Sequence, residues 1–125
     1  MSTVSLVEGR CFCVSGPSGD IGAAGGHGLV VKDTRFLDHL ELRVDGETTE
    51  PLTVEHIGPH AATFVTRRRP RPGLADSTIL VVRRRYVGNG MVEDVTLENL
   101  SAWAVTVTLT LTASSDFAGL FDVKE

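Results

Sequence analysis

The chain has little of what marks an exported, membrane-spanning or nucleic-acid-binding protein. Its 125 residues include two cysteines, one tryptophan and one tyrosine, and no apolar run approaches the roughly 18 to 20 residues that a membrane helix needs. Glu8 and Arg10 interrupt the short apolar patch near the N-terminus, so we do not expect a signal peptide there. The net charge of −4 argues against broad nucleic-acid binding, which needs many clustered lysines and arginines. We therefore expect a soluble cytoplasmic protein with no membrane and no nucleic-acid partner.

The sequence also lacks a convincing metal or cofactor motif. Cys11 and Cys13 lie two apart in a predicted strand, where both side chains point the same way but too far apart to form a disulfide without distortion. No other cysteine exists to complete a zinc knuckle, so we interpret both as reduced, buried small hydrophobes. His56 and His60 have the i, i+4 spacing of a zinc helix, but the Gly-Pro pair between them breaks a helix. The glycine-rich stretch 22–28 lacks the Gly-Lys-Ser/Thr ending of a phosphate loop, and we expect no metal and no cofactor.

Apolar and polar residues alternate with period two along most of the chain, which is typical of half-buried strands. Asp45-Gly46 and Gly88-Asn89-Gly90 supply hairpin turns, and we expect the strands within 78–112 to form a three-stranded meander. We predict one all-β domain over 1–125, an antiparallel sandwich or supersandwich, with a mobile Arg/Pro loop at 67–76. The predicted strands are 11–15, 29–32, 40–44, 47–49, 52–57, 61–66, 78–87, 91–99 and 104–112.

The strand 78–87 begins with apolar residues and continues into three consecutive arginines. Because Ile79 and Val81 alternate with Leu80 and Val82, we expect its beginning to be covered on both faces. We expect its arginine-rich end to be wetter.

Several segments, in order along the chain, carry a resemblance to a known family. They are Phe12-Cys13-Val14-Ser15, Gly19-Asp20-Ile21, Gly28-Leu29, Asp33-Thr34-Arg35-Phe36-Leu37, Leu42-Arg43-Val44-Asp45-Gly46, Arg83-Arg84-Arg85-Tyr86-Val87, Met91-Val92-Glu93-Asp94-Val95-Thr96-Leu97-Glu98-Asn99 and Asp116-Phe117-Ala118-Gly119-Leu120-Phe121-Asp122-Val123. Together they resemble the N-terminal domain of prokaryotic-type glycogen debranching enzymes, the amylo-α-1,6-glucosidase-like proteins. In that family a helical-barrel catalytic domain follows the sandwich.

The resemblance implies a non-catalytic module that scaffolds the catalytic barrel and contributes to the glucan cleft. Its implied partners are a glucan-type polysaccharide and the helical-barrel domain. Because the family's domain continues with further strands, we expect an incomplete sandwich here, whose exposed sheet edge favours homo-oligomers. The chain itself is then not an enzyme, although its parent family is a glycoside hydrolase. The alternative is a free-standing β-module that binds glycans, or one that binds an acidic protein through the arginines of 67–71.

The acidic residues of the matched segments give no clear catalytic pair. Glu93 and Asp94 are adjacent on a strand and point to opposite faces, so they cannot share a substrate. Asp20 and Asp33 flank the glycine-rich loop, close enough in sequence for the loop to bring them together. Glycoside hydrolysis needs two such carboxylates across the scissile bond. We nevertheless expect both to fix the loop or form salt bridges rather than to catalyse.

The remaining site candidates are polar and aromatic residues that suit either loop pinning or sugar contact. In Asp33-Thr34-Arg35, a buried arginine offers a planar fork of donors to a loop or to a sugar hydroxyl, and we favour loop pinning. Tyr86 and Trp103 are candidates for stacking on a sugar ring. For Trp103 we favour packing in the core or in an interface.

Overall fold

The computed structural model describes residues 3–22, 27–70 and 79–115. The regular secondary structure in these ranges consists of β-strands alone. The strands are β1 (Val4–Glu8), β2 (Cys11–Ser15), β3 (Gly28–Val31), β4 (Thr34–Leu37), β5 (His39–Val44), β6 (Glu47–Thr48), β7 (Glu50–His56), β8 (Ala61–Arg67), β9 (Ile79–Val87), β10 (Met91–Asn99) and β11 (Leu109–Ser114). The described residues contain no helix of the length and apolarity that crossing a bilayer requires.

The strands form three antiparallel sheets that pack in a sandwich-like arrangement. The first sheet has the order β1-β2-β3-β4, the second β10-β9-β8-β7 and the third β11-β5-β6. An isolated bridge links the segment after β2 to β5 of the third sheet, because Ile21 and Leu40 exchange backbone hydrogen bonds of 2.8 and 2.9 Å. The predicted all-β, antiparallel, sandwich-like fold is confirmed.

Two hydrophobic clusters form the core, and both include the inner face of the second sheet. The larger cluster joins β1, β2 and β3 to β8, and its members are Val4, Leu6, Cys11, Cys13, Ile21, Leu29, Leu40, Ala62, Phe64 and Val87. The smaller cluster joins Leu42 and Val44 of β5 to Ile79 and Val81 of β9. Both clusters follow the period-two alternation, since every second residue of β5 and β9 is buried.

Tight turns with positive φ angles set the register of several hairpins. Asp45 and Gly46 have φ angles of 52° and 84°, as a two-residue turn of the predicted kind requires. Lys32 and Asp33, with φ angles of 50° and 69°, make a similar turn between β3 and β4 that was not predicted. Strands β1 and β4 were also missed, together with the Gly9 turn that leads into β2.

The predicted meander over 78–112 is wrong in its third strand. β9 and β10 form the expected hairpin, but β11 pairs with β5, with Leu109 opposite Val44 and Leu111 opposite Leu42. A turn after β10 diverts the chain, since the Asn99 side-chain amide donates to the Trp103 carbonyl oxygen at 2.7 Å. The backbone at 104–108 carries no regular structure.

Asp45 then fixes the chain on its new course beside β5. Its backbone N–H donates to the Thr108 carbonyl oxygen at 2.8 Å, and its carboxylate accepts from the Thr108 N–H at 2.9 Å. These two bonds start the β5–β11 pairing, so β11 belongs to the third sheet.

The arginines at the start of the predicted mobile loop have partners. Arg67 ends β8 and contacts Glu50 at 2.8 Å, while Arg68 contacts Asp45 at 3.3 Å. Arg69 donates to the Thr48 carbonyl oxygen at 3.1 Å. The rest of the predicted loop, 71–76, lies outside the described residues.

Candidate functional site

Two arginines lie in the interior of the sandwich. Arg83 and Arg85 occupy alternate positions of β9, on the same inward face as Val81 and Val87, and are 0% and 1% exposed. The expectation that this end of the strand is wetter is confirmed for its outer face alone, because the period-two alternation carries the inward face straight through the arginine run. Only Arg84 and Tyr86, on the other face, are exposed.

Two carboxylates neutralise the buried guanidinium groups. Glu93 of β10 accepts from Nε of Arg83 at 2.9 Å and also contacts the Arg85 guanidinium. Asp20 accepts from Nη1 of Arg83 at 2.7 Å. Such charges are tolerated in an interior only when they are paired and hydrogen-bonded, as these are. We call Asp20, Arg83, Arg85 and Glu93 the buried charge cluster.

The buried charge cluster holds the loop that follows β2. Ser18 and Gly19 offer carbonyl oxygens to the guanidinium groups, the shortest bond being 2.7 Å from Nη2 of Arg85 to Gly19. Gly19 has a φ of +95°, and a Cβ there would lie 3.0 Å from Cζ of Arg83. Only glycine suits this position, because a side chain would strain the backbone and displace the arginine. The cluster therefore organises the fold.

The predicted site residues Asp20 and Asp33 pair with different arginines. Besides Arg83, Asp20 accepts from the backbone N–H of Leu42 at 3.1 Å, and this ties the loop to β5. Asp33 occupies the β3–β4 turn and pairs with Arg10, with both side chains largely exposed. The structure thus places the two carboxylates in separate salt bridges.

The Asp33-Thr34-Arg35 segment does not form a buried network. Arg35 is half-buried rather than buried, and its Nη1 donates to the His27 carbonyl oxygen at 3.4 Å. Thr34 lines a surface cleft near the β3–β4 turn. Asp33 and Arg35 therefore contact different partners, the Arg10 side chain and the His27 backbone.

The aromatic candidates Tyr86 and Trp103 both lie on the surface. Tyr86 is 43% exposed on the outer face of β9, and Trp103 is 76% exposed in the turn after β10. Packing of Trp103 in the core is therefore wrong for the described part of the chain. An exposed indole remains available to a partner or a ligand.

The two thiols are buried and free, as expected. Burial raises the pKa of the Cys13 thiol, an effect that the nearby Arg85 guanidinium only partly offsets. The Cys11 thiol, whose pKa burial also raises, donates to the Gly90 carbonyl oxygen at 3.6 Å. The described residues hold no group of three or more His, Cys, Asp or Glu side chains suited to a metal ion, and His56 and His60 are exposed.

One edge of the sandwich leaves core-facing side chains uncovered. Leu97 lies opposite the buried Val81, and Leu111 lies opposite the buried Leu42, so both point to the core side of their sheets. They are nevertheless 40% and 56% exposed. β10 and β11 are also edge strands, each paired with a single neighbour in the described sheets. We call the surface formed by Leu97, Leu109 and Leu111 the open core edge, because Leu109 likewise lies opposite the buried Val44 and is 41% exposed. The exposed apolar residues Leu100, Trp103 and Val105 lie in the segment that joins β10 to β11.

The structure is an all-β domain whose interior contains ion-paired arginines and whose edge strands β10 and β11 leave core-facing leucines exposed. A family model for the N-terminal domain of (some) glycogen debranching enzymes matches residues 6–125, so the chain belongs to this family. The resemblance read from the sequence is confirmed. Neither a curated protein nor a solved structure matches the chain.

Proposed function

We propose that this chain is a non-catalytic scaffold of a glycogen debranching enzyme and that its open core edge docks the enzyme's helical-barrel catalytic domain. The observation that carries the proposal is that apolar side chains on the core side of the third sheet are exposed to solvent. Leu109 and Leu111 continue the hydrophobic surface of Leu42 and Val44, yet nothing among the described residues covers them. Contiguous exposed apolar surface of this kind marks an interaction site.

The family and the chemistry of the open core edge together indicate which partner docks there. The open core edge is apolar, and its strands β10 and β11 offer unpaired backbone groups along their free sides. A permanent intramolecular partner suits such a surface better than a transient one, because stable interfaces resemble a domain core cut in half. The catalytic domain of the parent enzyme is that partner.

The scaffold role also accounts for the acidic residues. Asp20 and Glu93 hold Arg83 and Arg85 in place, with Glu93 only 10% exposed, so neither is placed to exchange protons with a substrate. We therefore expect no release of glucose from glycogen by this chain alone. Hydrolysis that is lost on replacing Asp20 with asparagine would overturn the non-catalytic assignment.

Docking is tested by mixing the chain with a separately produced catalytic domain of a debranching enzyme from this family. Light scattering after size-exclusion chromatography should show a one-to-one complex. Leu111→Lys should weaken it at least about tenfold, because the complex would bury an unpaired ammonium group. Val92→Lys is the matched control: Val92 is 62% exposed but lies on the outer face of β10, opposite Tyr86.

Three results would contradict this assignment. The chain could remain monomeric and unbound, both variants could bind equally well, or the chain could bind a second copy of itself through Leu111 in preference to the catalytic domain. In the last case the open core edge is a homodimer interface. Circular dichroism melting of each variant separates loss of docking from loss of folding.

A further inference from the structure

Two tight turns place a glycine directly after an aspartate or an asparagine. They are Asp45-Gly46 of the β5–β6 turn and Asn89-Gly90 of the β9–β10 turn. In such a pair the glycine nitrogen, unhindered by a Cβ, can attack the side-chain carbonyl carbon of the preceding residue and close a succinimide ring. The sequence alone draws attention to both pairs. The structure distinguishes them by what each side chain contacts.

The Asp45 side chain is held by bonds on both of its oxygens. Its Oδ1 accepts from the Thr108 N–H at 2.9 Å, and its Oδ2 accepts from Nη1 of Arg68 at 3.3 Å. Attack by the Gly46 nitrogen would require the carboxylate to turn and give up these bonds. An ionised carboxylate is also a poorer target for a nucleophile than an amide. The folded state therefore protects the Asp45-Gly46 pair.

The Asn89 side chain, in contrast, is exposed, and no hydrogen bond within the described ranges engages its amide. The Gly90 N–H likewise donates to no described acceptor. The carbonyl oxygen of Gly90 is anchored, because it accepts from the Gly88 N–H at 2.8 Å and from the Cys11 thiol at 3.6 Å. Gly90 has a φ of +145°, which favours glycine there. The turn thus combines an unhindered nitrogen with an uncommitted amide.

The only other asparagine of the chain is bonded through both ends of its amide. Nδ2 of Asn99 donates to the Trp103 carbonyl oxygen at 2.7 Å, and its Oδ1 accepts from the Ser101 N–H at 3.0 Å. Leu100 follows it, and a side chain at that position hinders attack by the backbone nitrogen. Asn99 is therefore an internal reference for a protected asparagine.

We propose that Asn89 is a site of spontaneous deamidation, through a succinimide formed with Gly90. The Gly90 nitrogen attacks Cγ of Asn89, and the new C–N bond replaces the bond to the side-chain nitrogen. That nitrogen leaves as ammonia and takes the proton that the Gly90 nitrogen loses. Water then opens the ring at either carbonyl and gives an aspartate or an isoaspartate. No reactant other than water is needed.

Either product adds a negative charge to the cleft of about 490 Å³ that Asn89 lines together with Glu8 and Lys32. Isoaspartate also lengthens the main chain by one methylene in the turn that joins the paired residues Val87 and Met91. Turn length sets the register of a hairpin, so the isoaspartyl form should unfold at lower urea than Asn89→Asp. Equal unfolding midpoints would contradict this effect. Docking of a catalytic domain plays no part in the reaction, so either proposal can fail while the other holds.

The test incubates the folded chain, and the same chain unfolded in guanidinium chloride, at mildly alkaline pH, which favours loss of the proton from the attacking nitrogen. Tandem mass spectrometry of proteolytic peptides measures deamidation at each asparagine, and an isoaspartate assay measures rearrangement at Asp45. Asn89 should convert in the folded chain within about tenfold of its rate in the unfolded chain. Folding should slow rearrangement at Asp45 by at least about tenfold, and Asn99 should keep its amide.

Two matched variants assign the reaction to one residue. Asn89→Gln should abolish the mass gain of the folded chain, because the longer amide must close a larger ring, which forms far more slowly. Asn99→Gln should leave the mass gain unchanged. The proposal is refuted if the folded chain keeps the Asn89 amide while the unfolded chain loses it, or if the mass gain persists in Asn89→Gln. Equal conversion of Asp45 and Asn89 in the folded chain would also overturn it, since the contacts of Asp45 would then give no protection.

Discussion

Replacing Glu93 with alanine should be among the most damaging single changes available in this domain. The Glu93 side chain is 10% exposed and accepts hydrogen bonds from both buried arginines. Without it, Arg83 keeps Asp20, but Arg85 keeps only the Gly19 carbonyl oxygen, the Cys13 sulfur and a contact of 4.9 Å to the centroid of the Phe64 ring. One guanidinium is then buried with no carboxylate.

The magnitude follows from the cost of an uncompensated buried charge. Removing one partner of a buried ion pair costs about 3 to 5 kcal/mol, because the remaining charge has lost its compensation but not its desolvation. The retained Gly19 and Phe64 contacts place our expectation near the lower bound, about 3 kcal/mol. Domains of this size unfold with roughly 5 to 15 kcal/mol, so the change removes a large share of the stability.

The effect is measured by urea unfolding followed by circular dichroism. Tryptophan fluorescence is less suitable, because the only tryptophan, Trp103, is 76% exposed and reports weakly on the core. Asp94→Ala is the matched control, because Asp94 is the next residue of β10 and lies on its exposed face. We expect the control to change stability by less than about 0.5 kcal/mol. Equal destabilisation by Glu93→Ala and Asp94→Ala would refute the interior placement of the charge cluster.

Two further predictions concern Gly19 and the thiols. Gly19→Ala should cost about 2 kcal/mol in urea unfolding, because it strains a positive φ and displaces Arg83, whereas Gly22→Ala, with open space around its Cβ, should be nearly neutral. The folded state raises the pKa of Cys13, so its contribution to stability is complete below the unfolded-state value near 9.0 and falls as the pH rises above it. The loss of stability between about pH 8 and pH 10.5 should accordingly be smaller in a Cys13→Ala variant than in the parent chain; an equal loss in both would exclude this linkage.

Local sequence signals predicted most of the strands and several of the turns. Alternation sufficed for β5, where Leu40, Leu42 and Val44 are buried in turn. Asp45-Gly46 fixed the following hairpin because its two residues accept positive φ angles at low cost. The Lys32-Asp33 turn needs the same angles, but lysine gives no such signal, and this turn was missed.

Long-range pairing escaped prediction because it depends on contacts far apart in the chain. β11 carries the same alternation whether it pairs with β10 or with β5, and the bonds from Asp45 to Thr108 that decide the matter join residues 63 apart. The sequence did contain a signal for the buried arginines. Ile79, Val81, Arg83, Arg85 and Val87 share one parity, and the β9–β10 hairpin sets Glu93 opposite Arg85. The parity places both arginines on the inward face, and a carboxylate across the hairpin removes most of the cost of their burial.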